Sequence, residues 1–316
     1  VKPANANHDM TVSYPPASTL DVWDDFEPGK TYLLDTFAID ASQCAAFATA
    51  FGGTTDGRPS PVFMTARLMR AVTDGYLADA QGLGAGGVTH VDWPTAAPLG
   101  EPLTATMLCE SKRALNSRPG VGLTVLRYDV TTARGECVIS WRANQFLRIA
   151  GSDMDTGRSG ATPEIPEPVP FELPAYATAL GAHTFTRAEI IAFAERYDPQ
   201  AFHLDETAAA RSLFGALCAS GWHTTAVWYR MLLDHETRGT EYAAFGTSAS
   251  ANASSPPSGP SGFRDVTWRR PVYVGETITF FETGPDDSNE TEGSARTFHG
   301  ANQAGMPVFS ITAVYD

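Results

Sequence analysis

The sequence has no apolar run approaching the roughly 18 residues of a membrane-spanning helix, and no basic segment leading into a short apolar stretch as in a secretion signal. A soluble, unsecreted protein with no membrane partner is the expectation. Cysteine is sparse as well. Cys44, Cys109, Cys137 and Cys218 lie far apart with no C-x-x-C pair. This argues against a disulfide scaffold or a zinc site and suits a reducing cytoplasm. Positive charge is the third scarcity: 22 Lys and Arg against 36 Asp and Glu give a net charge of −14. A field of that sign repels phosphate-rich polymers, so no nucleic-acid partner is expected. A small anionic ligand needs only a local cationic cluster. Arg264, Arg269 and Arg270 form one, with a solvated strand end as the other reading of the same residues.

What is present is apolar material for real cores, at 43% of residues, in a chain of 316 that divides comfortably into two units of about 150. Residues 1–20 hold Pro15 and Pro16 without periodicity and read as a flexible tail. Gly151–Pro170 is broken by Pro163, Pro166, Pro168 and Pro170 and reads as a linker. An N-terminal half over 21–150 and a C-terminal half over 171–316 result. Thr247–Gly262, rich in Ser, Ala, Pro and Gly, is expected to be a mobile loop of the second half.

The two halves resemble each other in order. Ala45–Phe51 aligns with Ile191–Tyr197, each a short amphipathic helix with a capping residue upstream, Asp40 and Thr186. Thr65, Arg70 and Asp74 align with Thr225, Arg230 and Asp234 on a longer helix. Trp93 and Gly100-Glu101 align with Trp268 and Gly275-Glu276; Gly135, Val138 and Ser140 align with Gly305, Val308 and Ser310. Strand-like runs follow the long helix, among them Val121–Val130 and Thr277–Phe281. Each half is therefore α+β, a long helix wrapped by an antiparallel sheet. The exposed sheet edge of such a unit favours pairing with a second one, here within the same chain.

The halves differ where chemistry is expected. Between the short and long helices the second half is 14 residues longer, and the extra segment holds Asp198-Pro199-Gln200-Ala201-Phe202-His203 ahead of Ala219-Ser220-Gly221-Trp222-His223-Thr224. The first half has no histidine there, so it is expected to supply stability and no chemistry. A carboxylate and an imidazole five positions apart can converge on one water once Pro199 turns the chain, with Asp198 taking a proton and His203 orienting the water or shuttling its proton. The long helix starts near Gly221, and its free N–H groups can stabilise an oxyanion on a thioester carbonyl. His223 reads as a structural ring beside the helix start. Asp205 and Glu206 read as caps of a short helix. Trp222, Trp228 and Tyr229 read as core, or as walls of an acyl tunnel.

Residues 171–316, through D-P-Q-A-F-H and A-S-G-W-H-T, resemble the MaoC-like, R-specific enoyl-CoA hydratases. In that family an Asp and a His flank a short Asn-Pro turn; Asp198 and His203 match the pair, while Gln200 and Ala201 replace the Asn and Pro. The resemblance implies a double hotdog fold with one working half. It implies a hydratase or dehydratase acting on an acyl-CoA or acyl-carrier thioester, with Asp198, His203 and the Gly221 N–H catalytic. Trp222, Arg269 and Arg270 are the candidate substrate-binding residues. No cofactor or metal is expected, and a homodimer is a possible assembly. A hotdog thioesterase and a catalytically silent binding protein are the alternatives.

Overall fold

The computed structural model describes residues 13–53, 58–152, 165–170, 172–245, 259–284 and 294–315. The first half runs β1 (Thr31–Phe37), α1 (Ala41–Phe51), α2 (Pro61–Val72), β2 (Gly82–Asp92), β3 (Leu103–Ala114), β4 (Val121–Thr132) and β5 (Cys137–Arg148). The second runs β6 (Thr178–Thr184), α3 (Arg187–Tyr197), the short helices α4 (Ala201–Leu204) and α5 (Glu206–Arg211), α6 (Gly221–Phe245), β7 (Gly262–Trp268), β8 (Thr277–Gly284), β9 (Ser294–Asn302) and β10 (Pro307–Tyr315). Helices α4 and α5 occupy the 14-residue excess.

One ten-stranded antiparallel sheet spans both halves in the order β1-β3-β4-β5-β2-β7-β10-β9-β8-β6. The second half of that list is the first read backwards. The join is β2 against β7, with Val88 opposite Val266 and Asp92 opposite Gly262. The edges left open by each half are thus paired with each other. The sequence repeat is also a spatial one. Gly100 and Gly275 both sit at positive φ, 72° and 86°, where a side chain is strained. Their amides bond Ile39 and Phe185, themselves equivalent positions. Two arginines brace the halves reciprocally: Arg70 of α2 bonds the Glu195 carbonyl on α3, and Arg230 of α6 bonds the Thr49 carbonyl on α1.

Local chemistry sets the helix ends. The Asp40 carboxylate accepts the Gln43 amide and the Thr186 hydroxyl accepts that of Glu189, as the capping pattern predicts. Phe47, Phe51, Phe193 and Tyr197 interlock between α1 and α3, with ring centroids 5.0–5.6 Å apart. After α2 the chain widens into a π turn, Thr73–Leu77, in which the Ala78 amide reaches the Thr73 carbonyl.

The expected tail needs correction over its last residues. Ala17 and Leu20 are buried in the core, and the Leu33 amide bonds the Pro15 carbonyl. Apolar side chains and a strand partner hold this stretch against the domain. Residues 1–12, the central part of the proposed linker and nearly all of the Thr247–Gly262 loop lie outside the described residues. No helix among the described residues is long and apolar enough to cross a membrane.

Candidate active site

Pro199 terminates α3. The residue before a proline is pushed out of helical geometry, and Asp198 has φ −153° and ψ 65° while its amide still closes the last turn on Ala194. Its carboxylate therefore leaves the helix axis and enters the protein, where it is 3% exposed. The Gln200 amide then bonds the Asp198 carbonyl, and α4 carries His203 back beside the acid.

Three side chains donate to the Asp198 carboxylate. Ser220 Oγ reaches Oδ2 at 2.6 Å, Gln200 Nε2 reaches Oδ1 at 2.8 Å, and Thr73 Oγ1 reaches Oδ1 at 3.1 Å. Thr73 belongs to the first half, at the start of the π turn, and is fully buried. The first half thus reaches into the site, contrary to the expectation that it would only stabilise. Gln200, two residues on from Asp198, turns its carboxamide back onto the acid.

His203 is 5% exposed. Its Nδ1 lies 2.8 Å from the Cys218 carbonyl, and since a carbonyl can only accept, Nδ1 carries the proton. The other nitrogen, Nε2, is left as an acceptor 3.5 Å from Asp198 Oδ2. Burial holds the imidazole pKa below its usual value and so favours the neutral ring, against the opposing pull of the Asp198 carboxylate toward the protonated one. Burial also pushes the Cys218 thiol up to about 12, so it is no nucleophile at neutral pH.

Both groups line a cavity of about 400 Å³, within the roughly 300–1,000 Å³ of small-molecule sites. Gly221 lies on its wall at the head of α6, and no carbonyl of that helix can accept its amide. A side chain at 221 would overlap the Trp268 indole, its Cβ falling 2.5 Å from a ring carbon. Ser220 has two functions: besides donating to Asp198, its Oγ accepts the Trp222 amide as the helix cap. Trp222 lines the cavity and stacks on Trp141 of β5, with centroids 5.0 Å apart. Arg269 and Arg270 also line the cavity and are exposed, as is Arg118 from the β3–β4 turn. Arg264 is spent elsewhere, paired with Asp92 at 2.7 Å and bonded to the Val91 carbonyl.

The remaining candidates are structural. The Asp205 carboxylate caps α5 through the Ala208 amide, and Glu206 pairs with Arg187. His223 is 2% exposed, stacks on Phe193 at 4.7 Å, and is pushed by burial to a pKa of about 3. Among the described residues no cluster of His, Cys, Asp and Glu has metal-binding geometry.

Sequence reasoning missed Thr73, Ser220 and Arg118. Ser220 carried a signal, a serine directly ahead of a helix start. Thr73 and Arg118 carried none, because each reaches the site only through the pairing of the two halves.

No protein-family model and no curated protein matches the sequence. Solved structures do. A MaoC domain protein dehydratase from Chloroflexus aurantiacus gives a TM-score of 0.64 at 12% identity, covering 95% of this chain and 99% of that one. A MaoC-like dehydratase from Phytophthora capsici gives 0.60 at 14% identity, covering 93% and 97%. A Mycobacterium tuberculosis protein described as having a double hotdog fold gives 0.61 at 12%, covering 93% and 98%. The chain is a double hotdog protein, with the architecture of MaoC-like dehydratases.

Proposed function

We propose that the protein is a hydro-lyase that adds water to an enoyl thioester, or removes it from the (R)-3-hydroxyacyl thioester. The supporting observation is a pair of buried acceptors, Asp198 Oδ2 and His203 Nε2, 3.5 Å apart on the wall of a substrate-sized cavity. A carboxylate offers about four acceptor positions, and three of those on Asp198 are taken. One water can donate to the remaining position and to Nε2, leaving its oxygen lone pairs for the substrate's β carbon.

As the C–O bond forms, one of the two groups takes the water's proton. The double-bond electrons move through the α carbon onto the thioester oxygen as an enolate. Return of the proton to the α carbon completes addition of H and OH with no oxidant or reductant. The Gly221 N–H and the positive end of α6 stabilise the enolate oxygen. Trp222 walls the acyl group, and Arg118, Arg269 and Arg270 meet the phosphates of a coenzyme A carrier at the mouth. Incubation with crotonyl-CoA tests the reading. Loss of the enoyl absorbance without release of free thiol supports it; thiol release points to a thioesterase, and neither change to a binding protein.

A further inference from the structure

The inner face of the first half is more polar than an alkyl pocket requires. Tyr128 of β4 and Trp141 of β5 are cross-strand partners, and both line the cavity. Trp141 is 3% exposed, yet its indole Nε1 has no hydrogen-bond partner. The Tyr128 hydroxyl meets that of Tyr76 at 2.8 Å, both rings being buried. Two hydroxyls carry two protons and the bond between them uses one. Among the described residues the second proton has no acceptor. An indole N–H is donor only, so two buried donors with nothing to bind lie on or against two side chains of one wall, Tyr128 and Trp141.

The repeat supplies an internal control. The positions equivalent to Tyr128 and Trp141 in the second half are Phe298 and Ile311, again cross-strand partners and equally buried, at 0% and 1% exposed. The fold is content with an apolar pair at this place. The polar pair stands in the half whose inner face lines the cavity, while Phe298 and Ile311 are not on the cavity wall.

We propose that the acyl group of the substrate carries a hydrogen-bond-accepting oxygen, of the oxo or hydroxy class, which binds Trp141 Nε1 and the free proton of the Tyr76–Tyr128 pair. This rests on the hydro-lyase reading for the identity of the thioester end. A site built around donors discriminates strongly against an analogue that leaves them unpaired. Trp222, stacked on Trp141 and adjacent to Gly221, places these donors along the acyl group.

The test compares 2-octenoyl-CoA with its 5-, 6- and 7-oxo derivatives on the full chain. Turnover is read as kcat/KM, and binding is measured by calorimetry on the Asp198→Asn variant, which keeps Trp141 and the Tyr76–Tyr128 pair unchanged. The proposal expects at least one oxo derivative to be preferred about tenfold or more in both readings. Trp141→Phe and Tyr128→Phe, each checked for folding by circular dichroism, should bring that ratio toward one. If plain octenoyl-CoA reacts and no oxo derivative is preferred, the substrate-class proposal falls and the hydro-lyase reading stands. If no compound reacts, the hydro-lyase reading falls; a binding preference would still support the donors' role, and equal binding would overturn it. A ligand-bound structure showing only water on Trp141 Nε1 and the tyrosine pair would overturn it too.

Discussion

At the residue scale the site is a set of mutual dependencies centred on Asp198. Its three donors orient the carboxylate, and His203 is oriented in turn by the Cys218 carbonyl. Asp198→Asn should keep the fold and lower crotonyl-CoA hydration at least about a hundredfold. His203→Ala should do the same, and the double variant should be little worse than either, since groups acting on one water fail together. Near-normal turnover in either folded single variant would remove the assignment. His223 gives a separate prediction about pH. Its pKa falls from the ordinary 6.5 in the unfolded chain to about 3 in the folded one. Between those values the unfolded state binds the extra proton, so stability falls as pH falls from 6.5 toward 3. Replacing the stacked ring by phenylalanine should flatten part of that loss in urea unfolding measured at pH 7 and pH 4. An unchanged slope would mean that His223 is not held neutral.

At the scale of elements, the equivalence of the long helices isolates the contribution of Thr73. Its counterpart in the repeat is Leu233, and the counterpart of Asp198 is Gly52; a Cβ on Gly52 would fall 2.8 Å from the Leu233 Cδ1. One copy thus holds a hydroxyl against a carboxylate, and the other closes the same place with leucine. Thr73→Val removes a hydrogen bond to a charged group, a contribution of about 1.5–3 kcal/mol. It should lower kcat about tenfold or more with a smaller effect on KM, while Thr73→Ser retains activity. Equal activity of the valine and serine variants would make Thr73 only a packing residue. Much at this scale was legible in the sequence: both capped short helices, the long helix starting at Gly221 and strands β4 and β8 follow from local residue chemistry. The π turn was not, and neither was the bond from Thr73 to Asp198, which joins residues 125 positions apart. Local patterns carry no information about which buried hydroxyl a distant carboxylate will meet.

Across the whole molecule the two halves share the sheet, the braces and the cavity wall. The repeat in the sequence foretold the pairing of like units, because a sheet edge with an apolar flank needs a partner. It did not foretell that the halves would become unequal partners in one site. Asp198 and His203 come from the second half, and much of the chamber, including Met69, Tyr128 and Trp141, from the first. Residues 171–316 expressed alone should therefore aggregate or self-pair through β7 and should not hydrate crotonyl-CoA. A monomeric, active fragment in size-exclusion chromatography and assay would contradict that division.

The claim that one water, gripped by Asp198 and His203, supplies both hydroxyl and proton is tested most directly by hydration of crotonyl-CoA in deuterated water. A single water delivers both groups to the same face of the double bond. NMR of the product should show deuterium at the α carbon syn to the hydroxyl, with R configuration at the β carbon. Anti placement, or an S alcohol, would contradict the one-water account.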